Sequence, residues 1–276
     1  MTPLLALPFP AIDPVAVDLG PLQIRWYALA YIAGILLAWL YCRALIRRPE
    51  CKGRVKAIDD LLFWVTLGIL IGGRLGMVFF YQPSYFFAHP LDIFKVWQGG
   101  MSFHGGFLGV LAALFYVSWR HKLHFLVLAD LAAAGAPIGL FLGRIANFVN
   151  GELWGRVSDV PWAMVFPDPA AGGIPRHPSQ IYQACAEGLA VFVVLRILVQ
   201  MGWLARPGRI GAAFALCYGL ARFIDEFWRE PDSYLGYQFG HLTQGQMLSI
   251  PMILVGLYFL WRLRAPITAE ERAGKA

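Results

Sequence analysis

Hydrophobic and polar positions along the chain separate into long apolar blocks joined by short polar runs. Seven stretches are almost continuously apolar: 22–42, 58–80, 100–119, 125–147, 180–200, 209–228 and 245–263. A helix needs about 20 mostly apolar residues to cross the hydrocarbon core of a bilayer, so the pattern predicts one helix over each. The first and last stretches are the cleanest, whereas 125–147 and 209–228 carry ionisable residues. No internal repeat is visible. The expected fold class is an all-α polytopic membrane protein, a bundle of seven transmembrane helices with a small extracytoplasmic cap.

Composition points the same way. The 276 residues are 58% hydrophobic and 14% charged, with a mean hydropathy of +0.57, against about 25% charged residues in a soluble domain. The opening MTPLLALPFPAIDP has no basic stretch and is interrupted by Pro3, Pro8, Pro10 and Pro14, so it does not read as a signal peptide. The four cysteines, Cys42, Cys51, Cys185 and Cys217, form no C-x-x-C pair. Cys185 and Cys217 lie in apolar runs and read as core thiols, and neither a disulfide framework nor a zinc site is expected.

Charge sets an orientation. Arg43, Arg47, Arg48, Lys52, Arg54 and Lys56 follow the first stretch. Arg120 and Lys122, Arg206 and Arg209, and then Arg262, Arg264, Arg272 and Lys275 fall on the same side of the predicted bundle. The opposite side holds Lys95, Arg156, Arg176 and Arg229. By the positive-inside rule the N-terminus is outside and the C-terminus cytoplasmic. The net charge of +6 is then a topology signal and a contact for anionic lipid, not a nucleic-acid footprint. The chain is expected to form one integral-membrane domain over 1–276, with a long outside loop at 148–179, periplasmic in a bacterium with two membranes, and a cytoplasmic tail at 264–276.

On that topology the polar residues inside the stretches gather near the outer leaflet. Arg25 and Tyr27 open the first, Arg74 lies in the outer half of the second, and His104 stands at the mouth of the third. Arg144 and Asn147 end the fourth, and Arg222, Asp225 and Glu226 end the sixth. An arginine at mid-bilayer costs about 2.5–3.5 kcal/mol on insertion scales, so these groups should face the bundle interior. Arginines facing inward at headgroup depth suit a phosphate, because the guanidinium stays charged and presents a planar fork of donors. Simpler readings stand beside this one. Arg222 and Glu226 are four apart and could be an intrahelical ion pair. Arg144, Asn147 and Asn150-Gly151 could be a helix stop with a favourable cation. The glycines of GGRLG and HGGFLG could serve packing alone, and Tyr27 beside Trp26 could belong to an aromatic belt. No G-x-S-x-G surrounds Ser179 and no H-E-x-x-H is present.

The stretch Gly143-Arg144-Ile145-Ala146-Asn147-Phe148-Val149-Asn150-Gly151-Glu152-Leu153-Trp154-Gly155, with IRWYALAY, GGRLG, SFHGGFLG, HPSQIY and ARFIDEFWREPD, resembles the bacterial phosphatidylglycerol–prolipoprotein diacylglyceryl transferases. The matches span most of the chain in the expected order. The resemblance implies a seven-span enzyme of the bacterial inner (cytoplasmic) membrane with its active site near the periplasmic face. It implies phosphatidylglycerol as donor and the lipobox cysteine thiol of a preprolipoprotein signal peptide as acceptor. The products implied are a thioether and glycerol 1-phosphate. No cofactor, metal or nucleic acid is expected; the partners are the two substrates and membrane lipids.

Two chemical demands then assign roles. The thiol must lose its proton, and the leaving glycerophosphate must have its charge stabilised. Arg144 and Arg222 are expected to clamp the phosphate, with Asn147 and Tyr27 orienting the headgroup and Glu152 and Glu226 holding the arginines. Gly155 and Arg74 complete the expected phosphatidylglycerol-binding set. His104 is the candidate general base, since its ordinary pKa lies near neutrality. A transporter or flippase also suits intramembrane charges, but the polar groups leave no relay to the cytoplasmic half. A non-catalytic receptor for exported proteins is the other alternative. Acceptance of a diacylglyceryl group by a lipoprotein precursor separates the enzyme from both.

Overall fold

A chain segment in lipid must satisfy its own backbone hydrogen bonds, which an α-helix does without outside help. In the computed structural model, which describes residues 6–10, 12–20, 23–51, 53–96, 99–231, 237–238 and 242–264, helices occupy all seven apolar stretches. They are α1 (Trp26–Ile46), α2 (Val55–Gly76, prolonged by a π-helical turn Met77–Tyr81), α3 (Pro83–Ala88), α4 (Phe103–His121), α5 (Phe125–Val149), α6 (Ser179–Gln183), α7 (Val191–Gln200), α8 (Arg209–Asp225) and α9 (Gln244–Arg262). A π-helical segment, Ala184–Ala190, joins α6 and α7 into one rod. Among the described residues, five helical segments are long and apolar enough to cross a membrane: Trp26–Ile46, Val55–Tyr81, Phe125–Val149, Ser179–Gln200 and Gln244–Arg262. Their outer faces carry large apolar side chains, with Phe63 61%, Phe79 54% and Leu254 60% exposed. Water would penalise such a surface, and acyl chains would not. The tail expected after residue 264 lies outside the described residues.

Among the described residues the short strands are β1 (Leu7–Pro8), β2 (Val15–Asp18), β3 (Gln23–Arg25), β4 (Met164–Val165), β5 (Pro175–Arg176), β6 (Tyr237–Gln238) and β7 (Leu242–Thr243). The first apolar stretch opens as strand β3 rather than helix. The cause is a hairpin: β2 and β3 pair antiparallel, and Gly20, at φ +77°, donates its N–H to Asp18 Oδ1 at 2.8 Å. In the 148–179 connection, β4 pairs with β5 antiparallel and with β1 in parallel.

The chain divides into two compact units, one of Met1–Leu40 with Ala132–Ala276 and one of Tyr41–Leu131. In the smaller unit, α2 and α4 meet backbone to backbone. A Cβ on Gly68 would lie 2.4 Å from Gly109 O, and one on Gly72 2.3 Å from Gly105 O. Glycine is the only residue that permits that approach. Ser102 caps α4, its hydroxyl accepting from Gly105 N at 3.2 Å.

In the larger unit, Gly219 lets α8 lie against Ile253 of α9, and Gly188 seats the π-helical segment on Phe141 of α5. A reciprocal cap starts α9: Thr243 Oγ1 accepts from Gln246 N at 3.2 Å, and Gln246 Oε1 accepts from Thr243 N at 3.1 Å. The cysteines reverse one expectation. Cys42 and Cys51 are the buried thiols, while Cys185 is exposed and Cys217 only partly covered. An apolar run in a membrane helix has a lipid-facing side as well as a packed one, so hydropathy alone does not mark the core.

Candidate functional site

The larger unit builds its polar centre from the end of α5. Gly151 adopts a left-handed φ of +68° and stops the helix. Glu152 N then donates back to Asn147 O at 3.1 Å. The turn also folds the Glu152 carboxylate onto two amides, Asn147 Nδ2 at 2.7 Å and Asn150 Nδ2 at 3.4 Å. Glu152, expected to hold an arginine, is instead held by these neighbours. The next residue, Leu153, is left-handed at φ +59°, an unfavourable conformation for a branched side chain. The start of α6 fixes it: Ser179 Oγ donates to Leu153 O at 3.0 Å, and Gln180 Nε2 to Glu152 O at 2.7 Å.

One turn back along α5, Arg144 faces the rod. Its Nε and Nη2 donate to Glu187 Oε2 at 3.3 and 3.0 Å. From α8, Arg222 Nη1 donates to the other oxygen of the same carboxylate at 3.3 Å. Arg222 Nη2 pairs with Glu226 Oε1 one turn along its own helix, and Arg229 Nη1 reaches that oxygen at 3.4 Å. Three helical elements thus converge on Glu187, whose side chain is 0% exposed, while those of Arg144 and Arg222 are 18% and 15% exposed. Arg144 Nη1 and Arg222 Nε make no hydrogen bond among the described residues. Two partly accessible guanidiniums backed by one buried carboxylate keep N–H donors to spare, in a form that suits an anion. Tyr27 packs against Tyr31 with the rings tilted by 39° and donates to its hydroxyl at 3.0 Å; it lies within electrostatic reach of Arg144 and Glu152.

Gly155 acts as a clasp. Its N–H donates to His177 O at 2.9 Å, Arg156 N donates to Trp228 O at 2.8 Å, and Gly155 bridges Arg229. A Cβ there would stand 2.6 Å from both His177 O and Trp228 O. Arg156 adds bonds to Arg229 O at 3.0 Å and Glu226 O at 3.2 Å. The clasp therefore ties the turn that follows α8, with Glu226, to the connection that follows α5. Burial holds the His177 imidazole below its ordinary pKa, with Asp159 opposing, and His177 Nδ1 lies 3.1 Å from Tyr182 Oη.

Two expected site residues belong to the smaller unit. Arg74, 5% exposed, directs its guanidinium at main-chain carbonyls: Nε to Ile93, Nη1 to Gly99 and Gly100, and Nη2 to Asp92 and Lys95. It also stacks on Phe86 at 5.0 Å. With every N–H engaged, it gathers the carbonyls of Asp92, Ile93, Lys95, Gly99 and Gly100 and presents no free donor. His104 is exposed in the first turn of α4, edge-on to Phe103 at 5.7 Å.

The residue overlooked in the sequence is Glu187. Its signal was present: a single acid in the apolar run ACAEGLAVFVV, where an ionisable group marks function or pairing.

Comparison with known proteins accords with this chemistry. The prolipoprotein diacylglyceryl transferase family model matches residues 14–262. A phosphatidylglycerol–prolipoprotein diacylglyceryl transferase of Rhodopseudomonas palustris is 54% identical over 270 residues, covering 94% of each chain. One from Nitrobacter winogradskyi is 52% identical over 93% of this chain and 90% of its own. One from Methylocella silvestris is 54% identical over 90% and 93%. Matched over nearly its whole length by the family model and by relatives sharing half its residues, the chain belongs to the prolipoprotein diacylglyceryl transferase family.

Proposed function

We propose that this protein transfers the diacylglyceryl group of phosphatidylglycerol to the lipobox cysteine thiol of a preprolipoprotein signal peptide. The convergence of Arg144 and Arg222 on Glu187 carries the mechanism. The donor's phosphodiester sits on the free edges of the two guanidiniums. The thiolate sulfur attacks the diacylglyceryl carbon that bears the phosphate oxygen, a C–S bond forms, and the C–O bond breaks. Glycerol 1-phosphate leaves with the electron pair, its new charge stabilised by donors already in place. Such preorganised stabilisation is worth about 3–4 kcal/mol per key donor. His104 takes the thiol proton. Asn147 and Tyr27 orient the headgroup, Glu152 lies at the end of α5 that shapes it, and Glu226 and Gly155 hold the Arg222 side in register. Arg74 serves by gathering the segment that leads into α4.

The protein is a multi-pass membrane protein, and we place it in the bacterial inner membrane as a single integral-membrane domain of seven crossings. The side bearing most of the basic residues faces the cytoplasm, which puts the N-terminus and the 148–179 cap in the periplasm. A tagged preprolipoprotein incubated with phosphatidylglycerol and this protein should shift in gel mobility. Arg144→Ala and Arg222→Ala should insert into membranes and produce no shift. Normal turnover in either variant removes the phosphate clamp, and no shift with the unaltered protein removes the activity.

A further inference from the structure

Three polar side chains lie along one side of the Ser179–Gln200 rod. Gln180, Gln183 and Glu187 are all 0% exposed. Gln180 faces the end of α5 through its bond to Glu152 O, and Glu187 faces the two arginines. Gln183 stands between them. The helix widens to π geometry at Ala184, where each turn takes more residues, so Glu187 follows Gln183 along nearly the same line. Gln183 is the member with no protein partner: neither Oε1 nor Nε2 meets one among the described residues, and Gln180 Oε1 lacks one too. Buried amides are almost always hydrogen-bonded, and an exception asks for a cause.

We propose that Gln183 is a specificity residue that binds the hydroxyls of the lipid's terminal glycerol while Arg144 and Arg222 hold its phosphate. This rests on the transferase function proposed above. A hydroxyl donates and accepts, and so does a carboxamide. A carboxylate here would only accept, and would repel the phosphate beside it. An ammonium headgroup would offer only donors and would meet two arginines of its own sign. A neutral amide one turn along the rod from the carboxylate that holds two guanidiniums therefore selects a headgroup with an anionic phosphate and an uncharged, hydroxyl-bearing end. Gln180 Oε1 offers a second acceptor on the same side.

The experiment compares dioleoyl phosphatidylglycerol with dioleoyl phosphatidylethanol, which keeps the phosphodiester charge and lacks the hydroxyls. Both are presented to the full-length protein in mixed micelles with a preprolipoprotein acceptor. The unaltered protein should favour phosphatidylglycerol in kcat/KM by about tenfold or more, the scale of one or two hydrogen bonds. Gln183→Met should narrow that ratio to about twofold, chiefly through a raised KM for phosphatidylglycerol. If Gln183→Met does not accumulate in membranes, Gln183→Asn keeps an amide and withdraws it by one methylene, and it too should narrow the ratio. Equal use of the two lipids by the unaltered protein, or an undiminished preference in whichever variant folds, overturns the assignment while leaving the transferase function standing. Absence of any thioether with phosphatidylglycerol overturns both.

Discussion

Arg144 and Arg222 grip opposite oxygens of one carboxylate: Arg144 takes Glu187 Oε2 at 3.0 Å through Nη2, and Arg222 takes Oε1 at 3.3 Å through Nη1. Two like charges from different helices are held side by side by a fully buried carboxylate. Removing one partner of a buried ion pair costs about 3–5 kcal/mol. Glu187→Ala should lower thermal stability in detergent by that order and abolish thioether formation. Glu187→Gln should keep the shape and lose the charge, giving a folded protein with a kcat reduced at least tenfold, in proportion to one lost charge-assisted bond. A fully active Glu187→Gln protein would show that the carboxylate does not align the arginines.

Gly155 sits where any Cβ would strike two carbonyl oxygens at 2.6 Å. Gly155→Ala must part the backbones at His177 and Trp228, at an overpacking cost of about 1–3 kcal/mol. The displaced turn carries Glu226, so turnover should fall further than stability does. Wild-type kcat in Gly155→Ala, measured by precursor gel shift, would mean the clasp does not set the site.

Arg74→Lys keeps the charge and loses the fork. One ammonium cannot serve carbonyls at residues 92, 93, 95, 99 and 100, and bonds to a charged donor are worth about 1.5–3 kcal/mol each. Hydrogen exchange over residues 92–102 should accelerate about tenfold or more while the α8 amides stay protected. Unchanged exchange there would argue that the guanidinium does not hold the segment.

Burial lowers the His177 pKa, and unfolding returns it to about 6.5. Below that value the unfolded chain binds the proton more readily than the folded one. The contribution to stability is therefore complete above about pH 6.5 and is lost as pH falls toward the folded value. Melting temperature between pH 5 and pH 8 should drop at the acid end, and His177→Gln should flatten part of that drop. Identical profiles for the two proteins would dismiss the effect.

Hydropathy located the helices, because the bilayer demands length and apolarity and little else. The spacing of Arg222 and Glu226 and the Asn150-Gly151 stop were equally open to reading, being local. Glu187 was harder to assign: its partners come from 43 residues before and 35 after, and nothing local names them. Arg74 and Arg144 looked alike as lone arginines at apolar helix ends. One finds five carbonyls and the other a carboxylate, a difference decided by what the chain brings back to each. Cys185 and Cys217 show the same gap, since an apolar run does not say which side is packed.

The backbone contact of α2 with α4 at Gly68, Gly72, Gly105 and Gly109 has a mechanical outcome. Where the two helices touch through their main chains no side chain stands between them to swing aside, so along those glycines they travel as a single stiff plank. A hydrocarbon tail entering from the side finds no seam along that line, and any doorway into this unit must open at another edge.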